Sequence, residues 1–234
     1  MEKNDYKEFQ KLIHYDFKDI NHLETAFTHT SYVNELRLKR ESYERYEFLG
    51  DAILEFIVSK WLFSEYPDKS EGELTKLRAS LVCEYTLSQI TKEFDFGKYL
   101  YLSKGEKMNG GMNRPSILCD LFESVLGAIY LDGGLEPAWQ YVERFLLTDI
   151  EHKSTFYDAK TILQEYAQSM GLKLDYKLLS TSGPAHNMTY TAVALINGET
   201  KEQGTGQSKK MAEQVAAHKT LVKLNLTGET NIDK

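Results

Sequence analysis

Three carboxylates stand close together in the run Glu44-Arg45-Tyr46-Glu47-Phe48-Leu49-Gly50-Asp51. Spacings of i, i+3 and i+7 place Glu44, Glu47 and Asp51 on one face of a helix. Like charges stacked in this way repel, and a surface helix normally interleaves lysines to relieve them. The residues that follow, Ala52, Ile53, Leu54, Phe56, Ile57 and Val58, are apolar round most of a helical circumference. That composition predicts a largely buried helix, where unpaired carboxylates are very costly. A second pair, Asp120 and Glu123, stands at i, i+3 in the equally apolar run 117–128. Four carboxylates from two such apolar helices would make an oxygen cage suited to Mg2+ or Mn2+. A di-iron helical site would carry Glu-x-x-His; neither run contains a histidine, which also disfavours zinc. The competing reading is a set of solvated or salt-bridged surface acids, and spacing alone leaves it open.

These acids need rigid elements to hold them. Up to about residue 150 the apolar spacing is helical: Leu74, Leu77, Leu81 and Val82 recur at three- and four-residue intervals, as do Leu121, Val125, Leu126 and Ile129. Ser70 before Glu73 reads as a capping box, and Gly133-Gly134 stops one helix before another begins near Pro137. We expect six to eight helices here. From about Asp158 the pattern changes. An amphipathic helix over 159–170 is ended by Gly171, and three short β-type stretches follow at 172–180, 189–196 and 201–203. Their separators are Ser182-Gly183-Pro184 and Asn197-Gly198, the latter a strong hairpin signal. A last helix runs from 208 to about 224. The chain therefore divides into an all-α domain (1–151), a linker (152–157), a small α+β domain of α-β-β-β-α order (158–226) and a polar tail (227–234).

The net charge of −7 misleads until it is split. Residues 1–150 carry 18 Lys+Arg against 26 Asp+Glu, whereas residues 151–234 carry 10 against 9. Phosphate neutralisation drives polyanion binding, so an acidic domain does not look like a polyanion binder. Its acidity is either solvated surface or is neutralised in part by bound cations. The N-terminus has mixed charge with no apolar run behind it, which is not a secretory signal. The most apolar window, 52–63, is broken by Glu55 and Lys60 and is too short to span a bilayer. Cys83 and Cys119 lack the spacing of a zinc site. We expect a cytoplasmic protein with reduced cysteines and no membrane association.

The run from Glu44 to Asp51 closely resembles the signature of the ribonuclease III family, Glu-Arg-Leu-Glu-Phe-Leu-Gly-Asp, with Tyr46 in place of leucine. The stretch 116–132 is similar to the family's second acidic motif. The likeness extends through Thr28-His29-Thr30-Ser31 and Glu71-Gly72-Glu73-Leu74 into the C-terminal domain, in family order. The resemblance implies an all-helical homodimer that cuts double-stranded RNA with Mg2+, for which Mn2+ would substitute, and without a small-molecule cofactor. By position it implies Glu47, Asp51, Asp120 and Glu123 as metal residues, with Asp51 and Glu123 catalytic. Glu44 and Glu71 match positions that handle RNA near the scissile bond. Phe48 matches the residue that inserts into a socket on the other subunit, although a lone helix phenylalanine otherwise reads as core. Tyr46, and Tyr43 where the family often has asparagine, lie beside the site without removing a ligand. The products implied are 5′-phosphate and 3′-hydroxyl ends with short 3′ overhangs, and the implied substrates include ribosomal RNA precursors and other structured transcripts.

The α-β-β-β-α order is that of the double-stranded RNA-binding domain. Its first helix carries Thr161, Gln164, Glu165 and Gln168, a polar face for 2′-hydroxyls. Gly183-Pro184-Ala185-His186 resembles the loop that enters the next minor groove, so His186 is an expected contact. Ser208, Lys209 and Lys210 open the last helix, where lysines and the helix N-terminus would meet phosphates together. Such domains read A-form shape across about 16 base pairs. A non-catalytic RNA-binding relative on the same fold would have lost metal carboxylates; here all four are present.

Overall fold

The computed structural model describes residues 3–37, 39–183 and 188–227 of the chain. Two compact units emerge, Met1–Thr148 and Asp149–Lys234. Among the described residues, nine α-helices precede residue 146: α1 (Lys3–Ile13), α2 (Ile20–Ala26), α3 (Thr30–Leu36), α4 (Glu44–Glu65), α5 (Glu71–Val82), α6 (Glu84–Glu93), α7 (Lys104–Met108), α8 (Pro115–Gly133) and α9 (Leu135–Phe145). That exceeds the expected six to eight because α2, α3 and α7 are only one or two turns long, too short to show periodicity.

Local chemistry sets the boundaries. The Ser70 hydroxyl accepts from the Glu73 N–H while the Glu73 carboxylate accepts from the Ser70 N–H, so the capping box starts α5 as expected. α8 starts at Pro115, whose missing N–H costs nothing in the first turn. Nearly every residue of α8 from Ile117 to Ile129 is buried, and α2, α4, α6 and α9 pack around it. The Ser124 hydroxyl, which a buried helix must satisfy, donates to the Ala26 carbonyl at 3.0 Å. Among the described residues no helix is long and apolar enough to cross a membrane.

α4 departs from expectation. Its composition predicts a largely buried helix, yet Phe48, Phe56 and Phe63 are 80%, 52% and 75% exposed. With exposed Ala52, at i+4 from Phe48, they form one stripe along the helix. α4 packs mainly on α8 and α5, and among the described residues no element of the same unit covers the stripe.

In the second unit, α10 (Ile150–Tyr157) and α11 (Ala159–Ser169) precede β1 (Leu174–Ser182), β2 (Thr189–Ile196) and β3 (Glu199–Gly206), and α12 (Lys209–Lys223) closes it. The sheet is antiparallel in the order β1-β2-β3. Asn197 and Gly198 both have positive φ, 53° and 81°, as a type I′ hairpin turn requires. β3 outruns its expected span of 201–203 because packing overrides the poor strand propensity of Gly204. A Cβ there would lie 2.3 Å from the Ala212 carbonyl oxygen, so only glycine lets α12 lie this close. Ala159, Leu163, Ala194, Ile196, Ala216, Ala217 and Leu221 form the core. The segment 152–157, read as linker, is helical within α10 and belongs to this unit. The Gln214 amide donates to the Phe156 carbonyl at 2.6 Å, and the Phe156 ring lies 5.2 Å from that of His218. Residues 228–234 of the polar tail lie outside the described residues.

Candidate metal centre

Two glycines bring the acidic helices together. A Cβ on Gly50 of α4 would sit 1.8 Å from the Glu123 carbonyl oxygen, and one on Gly127 of α8 would sit 2.2 Å from the Tyr46 carbonyl oxygen. Each glycine thus admits the opposing backbone, and α4 and α8 touch main chain to main chain. Gly50 lies one turn from Glu47 on α4, and Gly127 one turn from Glu123 on α8. As a result, carboxylate oxygens of Glu47, Asp120 and Glu123 all lie within 4.8 Å of one another.

Asp51 and Glu44 are exposed at the margin of this cluster, and the Glu44 carboxylate accepts from the Ser42 hydroxyl at 3.0 Å. Glu71 is not brought to the cluster; it is exposed in the first turn of α5 and accepts from the Thr75 hydroxyl. Three neighbours add contacts, of which His29 and Glu84 escaped sequence reasoning about the cluster and Tyr43 was expected only to lie beside it. The buried Tyr43 hydroxyl donates to Asp120 Oδ2 at 2.9 Å. The His29 ring packs edge-on against Tyr43 at 5.5 Å, so a histidine does lie close, one residue removed from the carboxylates. Glu84, at the start of α6, adds a further negative charge felt by Asp120. Tyr46 also gains an account: its hydroxyl reaches His22 Nδ1 of α2 at 3.0 Å.

The electrostatics follow from this crowding. Burial, then the charges of Asp51, Asp120 and Glu47, pushes the Glu123 carboxyl up to about 8. Burial also raises Glu47, with Asp120 adding to the effect. Burial raises Asp120 too, against the Tyr43 hydroxyl bond, which lowers it. Among the described residues, none of the three acids makes an ion pair with Lys or Arg. No Lys or Arg among the described residues compensates this crowding of carboxylates, and a divalent cation would. The donor set fits a hard cation such as Mg2+ or Mn2+, because the cluster offers only carboxylate oxygens. Burial pushes the neighbouring Cys119 thiol up, which keeps it from serving as a soft thiolate ligand.

A stability prediction follows. Glu123 titrates near 8 in the folded protein and near 4.5 unfolded, so between those values only the folded state keeps the proton. The stabilisation is complete below about 4.5 and is lost as pH rises through about 8. His29, lowered by burial, works in the opposite direction near its ordinary value, so the comparison is between wild type and Glu123→Gln. In EDTA, thermal melts from about pH 5 to about pH 8.5 should show wild type losing stability relative to Glu123→Gln, on the order of a few kcal/mol. Mg2+ should reverse the loss at the alkaline end. Parallel curves for the two proteins would contradict this electrostatic account.

In the second unit, Thr161, Gln164, Glu165 and Gln168 share an exposed face of α11. Ser208 caps α12 by accepting from the Met211 N–H at 3.1 Å, and Lys209 and Lys210 project from its exposed first turn. Lys209 also lies 3.9 Å from Glu213, whose other oxygen holds Lys160 at 2.6 Å. The unit thus restrains part of the charge expected to meet RNA. His186 lies outside the described residues.

Comparison with known proteins adds independent findings. A Ribonuclease-III-like family model matches residues 19–150, and a double-stranded RNA binding motif matches residues 159–224. Ribonuclease 3 of Bacillus velezensis is 47% identical over 223 residues, covering 94% of this chain and 90% of the relative. Ribonuclease 3 of Listeria monocytogenes serotype 4b is 44% identical over 218 residues, 92% of this chain and 95% of the relative. Among solved structures, the nuclease domain of ribonuclease III from Campylobacter jejuni is 40% identical with a TM-score of 0.55. It covers 58% of this chain and 92% of its own, and it is described for flexibility in a region involved in dimer formation.

Proposed function

This chain belongs to the ribonuclease III family and carries a double-stranded RNA-binding domain; from that premise we propose that it hydrolyses phosphodiester bonds of duplex RNA with divalent metal at the acidic centre. The observation that carries the reading is the convergence of Glu47, Asp120 and Glu123 within 4.8 Å on two helices held together by Gly50 and Gly127. Glu47, Asp120 and Glu123 would hold the cation, with Asp51 completing the set from the exposed margin. When bound, Mg2+ would lower the pKa of a water and stabilise charge on the departing 3′-oxygen.

The chain's own groups do the rest. Gly50 and Gly127 fix the separation of α4 and α8, and hence the spacing of the carboxylates. Exposed Glu44 and Asp51 stand where a phosphodiester backbone approaches, with Glu44 and Glu71 assigned to RNA handling. In the second unit Thr161, Gln164, Glu165 and Gln168 meet 2′-hydroxyls, and Ser208, Lys209 and Lys210, with the loop around His186, meet phosphates and the next groove. Structured precursors, ribosomal RNA stems among them, offer the long duplexes such a surface reads. A cytoplasmic location completes the reading and accords with unbridged Cys83 and Cys119. The test is incubation of the protein with a duplex and a single-stranded RNA, with and without Mg2+. Metal-dependent cleavage of the duplex alone is expected; cleavage in EDTA, or of both substrates alike, would overturn the proposal.

The open stripe on α4 supports a twofold homodimer, in which the same patch meets itself and two acidic centres face opposite strands. Staggered cuts would then leave 5′-phosphate and 3′-hydroxyl ends with short 3′ overhangs. Phe48, at the head of the stripe and next to Glu47, would couple assembly to the site. Phe48→Glu would bury an unpaired charge in the partner, at a cost of several kcal/mol. The variant should sediment as a monomer, keep its helical circular dichroism and lose duplex cleavage. A dimeric, fully active variant would place the interface elsewhere.

A further inference from the structure

Tyr43 touches both halves of the acidic centre. It stands immediately before α4, and its carbonyl accepts from the Glu47 N–H at 2.9 Å, closing the first turn of the helix that carries Glu47. Its hydroxyl crosses to α8 and donates to Asp120 Oδ2 at 2.9 Å. The residue is itself held fast: it is 2% exposed, its N–H donates to the Thr28 carbonyl at 2.8 Å, and its ring packs against His29. His29 is fixed in turn, with Nδ1 2.7 Å from the Ser31 hydroxyl. A short-tethered acid on an apolar helix has several rotamers open to it. A rigid donor on one of its oxygens selects one rotamer and leaves the other oxygen for a cation.

We propose that Tyr43 is a positioning residue of the acidic centre, holding Asp120 in the orientation that binds divalent metal and so setting the affinity of the site for that metal. The proposal rests on the reading of Glu47, Asp120 and Glu123 as metal residues. Groups that orient metal ligands from outside the first shell typically contribute 10–100-fold in affinity.

Tyr43→Phe removes the hydroxyl and keeps the ring and both backbone bonds. Mn2+ binding to the full chain, followed by the electron paramagnetic resonance signal of free Mn2+, reads the effect without RNA or turnover. The expected result is affinity weakened by about tenfold or more, with cleavage at limiting Mg2+ recovering as Mg2+ is raised. A thermal melt run alongside separates this from a structural role, which would lower the melting temperature and leave the Mn2+ isotherm of the folded protein unmoved. Asp120→Asn provides the second arm: in that background Tyr43→Phe should add nothing, because the two act as a coupled pair. Wild-type Mn2+ affinity in Tyr43→Phe, with affinity lost in Asp120→Asn, overturns the role of Tyr43 alone. Wild-type affinity in Asp120→Asn overturns the metal reading and Tyr43's role with it.

Discussion

Glu123→Gln should abolish duplex cleavage while leaving duplex binding within a few-fold of wild type. The amide keeps the volume and most of the shape of a side chain that is only 8% exposed, so the packing of α8 survives. It removes the charge on the most deeply buried of the three clustered acids. Metal stabilisation of a phosphodiester transition state is worth several kcal/mol. At tenfold per ~1.4 kcal/mol, its loss is on the order of a thousandfold or more in rate. Binding persists because most of the groups assigned to it lie in the second unit, and Glu123 is not among them. The substitution also relieves repulsion from Asp51, Asp120 and Glu47, so the protein should be no less stable at neutral pH, and misfolding cannot stand in for lost chemistry. Single-turnover cleavage with excess enzyme, paired with mobility shifts in EDTA, measures both quantities. Cleavage within a few-fold of wild type would remove Glu123 from the centre.

Gly50→Ala should be nearly as damaging, although it adds one methyl group and touches no acid. The new Cβ would stand 1.8 Å from the Glu123 carbonyl oxygen, main chain that cannot swing aside. Relief requires α4 and α8 to move apart by more than about 1 Å, given an ordinary contact near 3.5 Å. Overpacking of this kind typically costs about 1–3 kcal/mol, more than the ~1 kcal/mol gained from alanine's better helix propensity. At the upper end, the melting temperature should fall by roughly 4–8 °C net. The effect on activity should be larger, because Glu47 moves with α4 while Asp120 and Glu123 move with α8. Displacement of about 1 Å at a reacting centre costs on the order of a hundredfold. Wild-type cleavage by a Gly50→Ala protein would show that the close approach of the helices does not set the site.

These two residues also mark the boundary of what the sequence makes legible. Glu123 announces itself, because a carboxylate in an apolar helical run has no cheap structural explanation. Gly50 does not, since a helical glycine reads as a small loss of propensity until the carbonyl it faces is known. The bond of Tyr43 is hidden for a similar reason: the resemblance puts the residue beside the site, but its hydroxyl partner lies 77 residues away in sequence. Asp51 sits on the expected helix face yet stays exposed at the margin, because spacing sets a direction and neighbouring elements set depth. The open stripe on α4 shows the same limit. Phe48, Phe56 and Phe63 look buried from composition, which cannot tell a neighbour in the same chain from one in another molecule. In the second unit, Asn197-Gly198 carries its turn in its own backbone preferences and is legible at once. The length of β3 is not, because Gly204 owes its place to α12.

The docking of α10 bears on how the enzyme handles long substrates. Eight residues in a helix span about 12 Å, whereas the same residues extended would reach about 27 Å. With Gln214 and His218 holding α10 to the RNA-binding unit, those residues add bulk to that unit and little slack to the tether. For two linked modules, a shorter tether means a smaller accessible volume, and effective concentration rises as that volume shrinks. The same confinement narrows the stretch of duplex, counted from the point of capture, over which a cut can fall. Tether length thus trades local substrate concentration against the choice of cleavage position.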